Sequence, residues 1–176
     1  GGAAMVENKL KFSFARDIVL MKQVGINVIV VHGGGPQIDK QLEIVGIKRN
    51  FIDGIRVTDK KTIEIVSNTL NDVVNKEIVD LINSNGGNAI GIAKNNSSIK
   101  AKKLISEKID YGYVGEVQNI DTNYICKLMN SGYIPVIAPL GYDEENNIYN
   151  INADLAASQI ALKLSAEKLI FLTDQA

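Results

Sequence analysis

The sequence predicts an α/β protein, an open αβα sandwich around a mainly parallel sheet with small antiparallel hairpins added. Three observations predict it. Short, almost wholly apolar, β-branched runs such as Asn27-Val28-Ile29-Val30-Val31 suit strands covered on both faces. Segments with apolar residues at steps of three and four alternate with those runs along the chain. Glycine clusters fall at the junctions between the two kinds of segment.

Taken in order, the first strand ends in Gly33-Gly34-Gly35-Pro36, after which Ile38, Leu42 and Val45 recur at helical spacing. Pro36 suits the first turn of that helix, where its missing N–H is no loss. After Thr58, the residues Ile63, Val66, Leu70, Val73, Val74, Ile78, Leu81 and Ile82 predict one long amphipathic helix, stopped by Gly86-Gly87. Ala89-Ile90-Gly91-Ile92 is the next strand. Residues 100–117 are less regular, and stretches broken by Gly112 and Gly115 predict small antiparallel strands at the sheet edge or top. Asp121 suits the N-cap of a helix carrying Ile125, Leu128 and Met129 and closed by Gly132. Residues 133–138 form a strand, followed by a hairpin with the polar tip Asp143-Glu144-Glu145-Asn146-Asn147. A helix from Asn152 carries Ala153, Ala156, Ala157, Ile160, Ala161 and Leu164, and Lys168-Leu169-Ile170-Phe171-Leu172 is a closing strand. No repeat or linker interrupts the pattern, so residues 1–176 read as a single domain.

Composition removes several function classes. Nineteen Lys and Arg against twenty Asp and Glu give no basic excess, so neither nucleic acid nor an anionic membrane is expected as a partner. One Cys and one His exclude an intramolecular disulfide and a Cys-cluster zinc site, and no metal ligands are assigned. The single Cys fits a reducing compartment. No run reaches the roughly 18 apolar residues of a membrane span, and the first residues do not read as a signal peptide. A cytoplasmic location is therefore expected, with the plastid stroma as an alternative.

Three segments could carry chemistry. Glycines 33–35, between a strand and a helix, would let backbone N–H groups cradle an anion, or they simply make a tight turn. Arg56, in Gly54-Ile55-Arg56-Val57-Thr58-Asp59, is placed either to fork onto a carboxylate or to snorkel at a strand end. Asn150, Asn152 and Asp154 offer two amides and a carboxylate at a helix start, where N-capping and the helix dipole explain Asn152 and Asp154 equally well. His32 reads as a hydrogen-bonded structural side chain and Cys126 as a small buried hydrophobe. Lys60, Lys61 and the acidic hairpin tip near Asp143 read as solvated charge.

Together these segments resemble the N-acetylglutamate kinases of the amino-acid kinase superfamily. The resemblance rests on Val31-His32-Gly33-Gly34-Gly35-Pro36, Gly54-Ile55-Arg56-Val57-Thr58-Asp59, Tyr149-Asn150-Ile151-Asn152-Ala153-Asp154 and Lys168-Leu169-Ile170-Phe171-Leu172-Thr173-Asp174. It extends in order over the chain. The Gly-Ile-Arg-Val-Thr and Asn-Ile-Asn-Ala-Asp segments separate these kinases from carbamate kinase and aspartokinase.

The resemblance implies transfer of the ATP γ-phosphoryl group, with Mg²⁺, to the side-chain carboxylate of N-acetyl-L-glutamate in arginine biosynthesis. It implies that Gly34 and Gly35 contact acetylglutamate, that Arg56 pairs with its α-carboxylate, and that Asn150 and Asn152 bind it. Asp154 would be the aspartate that orients catalytic lysines, Gly1 and Gly2 the first phosphate-loop glycines, and Asp174 the edge of the nucleotide site. A homodimer or higher homo-oligomer is implied, and in some members binding of the PII signalling protein. By the family pattern a lysine would precede Gly1 and the nucleotide domain would begin after Ala176, so both are expected to lie outside residues 1–176, and the turn at 91–96 differs. The chain is thus expected to be a piece of a longer kinase that holds the acetylglutamate half of the site and is inactive alone. The competing reading is a catalytically silent acetylglutamate- or anion-binding module of the same fold.

Overall fold

Strands and helices alternate through the computed structural model, which describes residues 8–172. The order is α1 (Asn8–Gln23), β1 (Val30–Val31), α2 (Gly35–Ile44), β2 (Phe51–Ile52), β3 (Ile55–Arg56) and α3 (Lys60–Asn68). A π-helical segment (Thr69–Asn75), α4 (Lys76–Ser84), β4 (Ala89–Ile92), a 3₁₀ turn (Lys94–Asn96), β5 (Ile99–Lys103) and β6 (Gly115–Ile120) follow. The described chain continues through α5 (Thr122–Asn130), β7 (Ile134–Ile137), β8 (Leu140–Tyr142), β9 (Ile148–Asn150) and α6 (Ala153–Lys163).

The sandwich follows from the two faces of the parallel sheet β1-β7-β4. Val30, Ala89, Ile134 and Val136 face one way and pack on Ala15, Ile18 and Val19 of α1 and Ile78 and Ile82 of α4. Ile92 and Ile137 face the other way and pack on Ile125 of α5 and Ala156 and Ile160 of α6. Both faces are covered, which is why these strands are apolar without polar alternation. A second sheet, β6-β5-β8-β9, gathers the expected hairpins, antiparallel except for one parallel contact between Lys100 and Tyr142. The α5 N-cap is as expected, with the Asp121 carboxylate accepting from the Tyr124 N–H at 2.9 Å.

Four details depart from the expected elements. α1 is additional, although Ala15, Ile18 and Val19 stand at helical spacing. The long helix from Lys60 to Ser84 is continuous but widens into a π turn at its centre. Its buried stripe Val66, Leu70, Val74, Ile78 and Ile82 advances by four residues each time, and in a pure α-helix each such step drifts about 40° around the axis. The wider turn takes up that drift and keeps the stripe on the core; Val73 instead faces solvent. The expected strand at 168–172 has no ladder partner among the described residues and is not a strand. An apolar run becomes a strand only when an edge pairs with it, and here Leu169, Ile170, Phe171 and Leu172 are exposed. Finally, Asp143 is more than solvated charge. It accepts from the N–H groups of Glu145 and Asn147 and from the Tyr149 hydroxyl, organising the hairpin tip. The Asn147 amide and these neighbours hold its carboxyl below the usual range.

Candidate functional site

The site begins where β1 ends. Ligands of parallel α/β sheets gather beyond the carboxyl ends of the strands, and β1 passes there through His32 and Gly33 into α2. Gly34 caps α2 with no side-chain hydrogen bond, its carbonyl accepting from the Ile38 N–H at 2.8 Å. Glycine supplies no capping side chain of its own, and the backbone at Gly34 and Gly35 stands at the positive end of the α2 dipole. Gly34 also brings that turn against the long helix, because a Cβ there would stand 2.6 Å from Leu70 Cδ2.

His32 is the structural residue its sequence context suggests. It is buried, its Nδ1 lying 2.9 Å from the Gly33 carbonyl and its Nε2 3.0 Å from Asn75 Nδ2. Asn75 Nδ2 also donates to the Val136 carbonyl at 2.9 Å. An amide that donates on both sides assigns His32 as the neutral Nδ1–H tautomer, accepting at Nε2. Burial pushes the imidazole down from 6.5 to about 4, against a smaller upward pull from the Gly33 carbonyl. Because the folded value is the lower one, the unfolded chain binds the proton first. Stability contributed by neutral His32 is therefore complete above about pH 6.5, declines as pH falls, and is lost by about 2 kcal/mol near pH 5, levelling off below pH 4. Urea denaturation across this range should show the slope in the native chain and a flatter profile in His32→Gln. Equal profiles would contradict the assignment.

Arg56 is not a surface side chain. It lies opposite Phe51 in the β2–β3 hairpin, and the Phe51 ring stacks on the guanidinium at 4.5 Å. Only 7% of the residue is exposed. Its Nη2 donates to Asp39 Oδ1 of α2 at 2.6 Å, while its Nη1 is buried with no hydrogen-bond partner among the described residues. A buried guanidinium donor without an acceptor costs on the order of 1–3 kcal/mol, which an incoming carboxylate oxygen would relieve.

Thr58 links Arg56 to the next predicted residue. Its hydroxyl donates to the Arg56 carbonyl at 2.7 Å and accepts from Asn150 Nδ2 at 3.4 Å. Gly34, Gly35, Arg56 and Asn150 thus belong to one connected set, running from the start of α2 through Asp39, Arg56 and Thr58 to the end of β9. Asn152, by contrast, uses its side-chain oxygen as the α6 N-cap, accepting from the N–H groups of Asp154 and Leu155 at 2.9 and 3.1 Å. Asp154 sits exposed in the first turn of α6, where the dipole favours its charge. Lys60 and Lys61 are exposed, as expected, and Cys126 is a half-buried free thiol. Gly1, Gly2 and Asp174 lie outside the described residues. Among the described residues no three His, Cys, Asp or Glu side chains converge.

Sequence reasoning missed Asp39, Thr58 and Asn75. Asp39 carries no signal in its own segment, because it is defined by a contact with a residue 17 positions away. Asn75 does carry one. Ser67, Asn71 and Asn75 recur every fourth residue beside the apolar stripe, and all three are buried. A polar stripe of that kind on a buried helix marks hydrogen-bonding work, because buried amides need partners.

Comparison with known proteins agrees with this fold. Acetylglutamate kinase of Ruthia magnifica is 56% identical over 181 residues, which cover 99% of this chain and 61% of that protein. The acetylglutamate kinase of Campylobacter hominis is 48% identical over 174 residues, again covering 99% of this chain and 61% of the relative. The chain therefore spans about three-fifths of the length of these relatives. Among solved structures, smu.665 of Streptococcus mutans superposes with a TM-score of 0.85 at 33% identity, over 91% of this chain and 65% of that one. An N-acetylglutamate synthase of Neisseria gonorrhoeae in complex with coenzyme A and N-acetyl-glutamate shares the fold, with a TM-score of 0.85 at 24% identity over 98% of this chain and 39% of its own. The family model described as the amino acid kinase family matches residues 1–176. With the αβα sandwich and the glycine turn at the end of β1 already in place, that match establishes that the chain belongs to the amino acid kinase family.

Proposed function

We propose that this chain is the acetylglutamate-binding domain of an acetylglutamate kinase, which moves the γ-phosphoryl group of ATP to the side-chain carboxylate of N-acetyl-L-glutamate. The observation that carries the reading is the buried Arg56, whose Nη1 has no partner among the described residues and which is tied through Thr58 to Asn150 at the end of β9. The names of the relatives, at 48–56% identity, supply the substrate class.

The chemistry suits the residues. A carboxylate nucleophile is already ionised at neutral pH, so no strong base is needed. Alignment and neutralisation of charge are the requirements. In this reading Arg56 and Asn150 fix the acetylglutamate, and the backbone N–H groups of Gly34 and Gly35 at the start of α2 face its oxygens. Asp154 orients cationic groups that belong with the nucleotide. Mg²⁺, when bound with ATP, supplies charge neutralisation on the phosphates.

Calorimetric titration of the 176-residue chain against N-acetyl-L-glutamate, L-glutamate, L-aspartate and carbamate tests the proposal. Saturable binding of acetylglutamate, about tenfold or more tighter than the others, is expected from a site with positioned polar groups. No binding, or a preference for another ligand, would sink it. The relatives extend well beyond the matched span, so acetylglutamate-dependent ATP turnover is expected to be undetectable with this chain and restored in a full-length relative.

A further inference from the structure

Within the reading of Arg56 as the α-carboxylate contact, on which this inference rests, the geometry points to Asp39 as the positioning residue that aims the guanidinium. Arg56 sits on a strand of two residues in a hairpin whose turn, Asp53 and Gly54, lies at positive φ and is exposed. Nothing in so short a hairpin fixes a long side chain by backbone alone, and an unanchored arginine carries roughly 2 kcal/mol of rotamer entropy. Two contacts remove that freedom. The guanidinium carbon lies over the Phe51 ring, 4.5 Å from its centre, and Asp39 takes Nη2 at 2.6 Å. Phe51 is half exposed on a short strand, whereas Asp39 stands on α2, the same helix whose first turn holds Gly34 and Gly35. Asp39 therefore sets the arginine in register with the glycine turn.

Spending Nη2 on Asp39 leaves Nη1 for a ligand oxygen. Because Nη1 is buried, a carboxylate reaches it as a neighbouring group gives way, and the stacked Phe51 ring is such a group. The charge balance also survives. Asp39 Oδ2 lies 3.5 Å from Nη1 of Arg49, which is exposed, so one carboxylate faces two guanidinium groups and the cluster stays net positive toward an anion.

The distinguishing readout is ligand selectivity, which a merely structural aspartate would not change. 4-Acetamidobutanoate is acetylglutamate without its α-carboxylate. Calorimetry or ligand-observed NMR with the 176-residue chain should show Asp39→Asn binding acetylglutamate about tenfold more weakly, with its affinity for 4-acetamidobutanoate held within about twofold. Asp39→Glu, which keeps the charge but shifts it by a methylene, should fall between the two. If Asp39→Asn does not fold, by circular dichroism, Asp39→Glu carries the test alone, with a selective severalfold loss expected. Unchanged acetylglutamate binding in both variants, alongside a loss in Arg56→Ala, would overturn the role of Asp39 and leave the functional reading standing. Equal weakening of both ligands would overturn it as well. Unchanged binding in Arg56→Ala would instead overturn the functional reading itself.

Discussion

Arg56→Ala is expected to weaken N-acetyl-L-glutamate binding about a hundredfold, the loss of roughly 3 kcal/mol that follows removal of one member of a desolvated, hydrogen-bonded charge pair. The size comes from the setting. Arg56 is buried, so its pairing with a ligand carboxylate is weakly screened, unlike an exposed ion pair worth little. Its fork is already held by Asp39, so little ordering entropy opposes binding. Arg56→Lys should recover only a small part of the loss, because an ammonium presents a point charge where a planar fork is required. The fold should survive, since Asp39 is partly exposed and retains Arg49 nearby. Titration calorimetry on both variants checks this, and an affinity within about threefold of the native chain would remove Arg56 from the binding site.

Gly112→Ala should cost about 3 kcal/mol of stability and weaken ligand binding with it. Gly112 lies at φ +72°, where an L side chain is strained by about 1 kcal/mol or more. Its added Cβ would stand 2.3 Å from the Thr58 carbonyl oxygen. That neighbour is backbone and is bonded, since the same carbonyl accepts from the Tyr113 N–H, so overpacking adds roughly 2 kcal/mol. Thr58 joins Arg56 to Asn150, so displacing it disturbs the site as well as the fold. Gly46→Ala is the control. Gly46 has φ +73° with nothing within 4 Å of its Cβ position, so it should show the strain alone. Urea denaturation of the two variants separates the terms, and equal losses would show that the close approach to Thr58 contributes nothing.

What the sequence made legible was whatever depends on local pattern. The apolar run ending at Val31, the cap at Asp121 and the hairpin around Asp143 all follow from nearest neighbours, and the sheet covered on both faces follows from their alternation. The Arg56 segment stood out for the same reason, but its state did not. Whether it snorkels or is buried depends on Asp39, and that pairing needs the β2–β3 hairpin folded against α2. The contact of Asn75 with His32 spans 43 residues and depends on where a π turn places an amide. The run from Lys168 to Leu172 shows the opposite limit. Its composition suits a strand, but strand formation belongs to the edge that would pair with it, which a residue pattern does not describe.

The central claim is that acetylglutamate binds at the glycine turn and Arg56 rather than elsewhere on this surface. Titrating the ¹⁵N-labelled chain with N-acetyl-L-glutamate and following its amide and arginine side-chain resonances tests that claim most directly. Saturable shifts are predicted at Gly33, Gly34, Gly35, Arg56, Thr58 and Asn150. Shifts confined to the groove lined by Lys100, Lys102, Glu116 and Asn119, or no saturable shift at all, would contradict it.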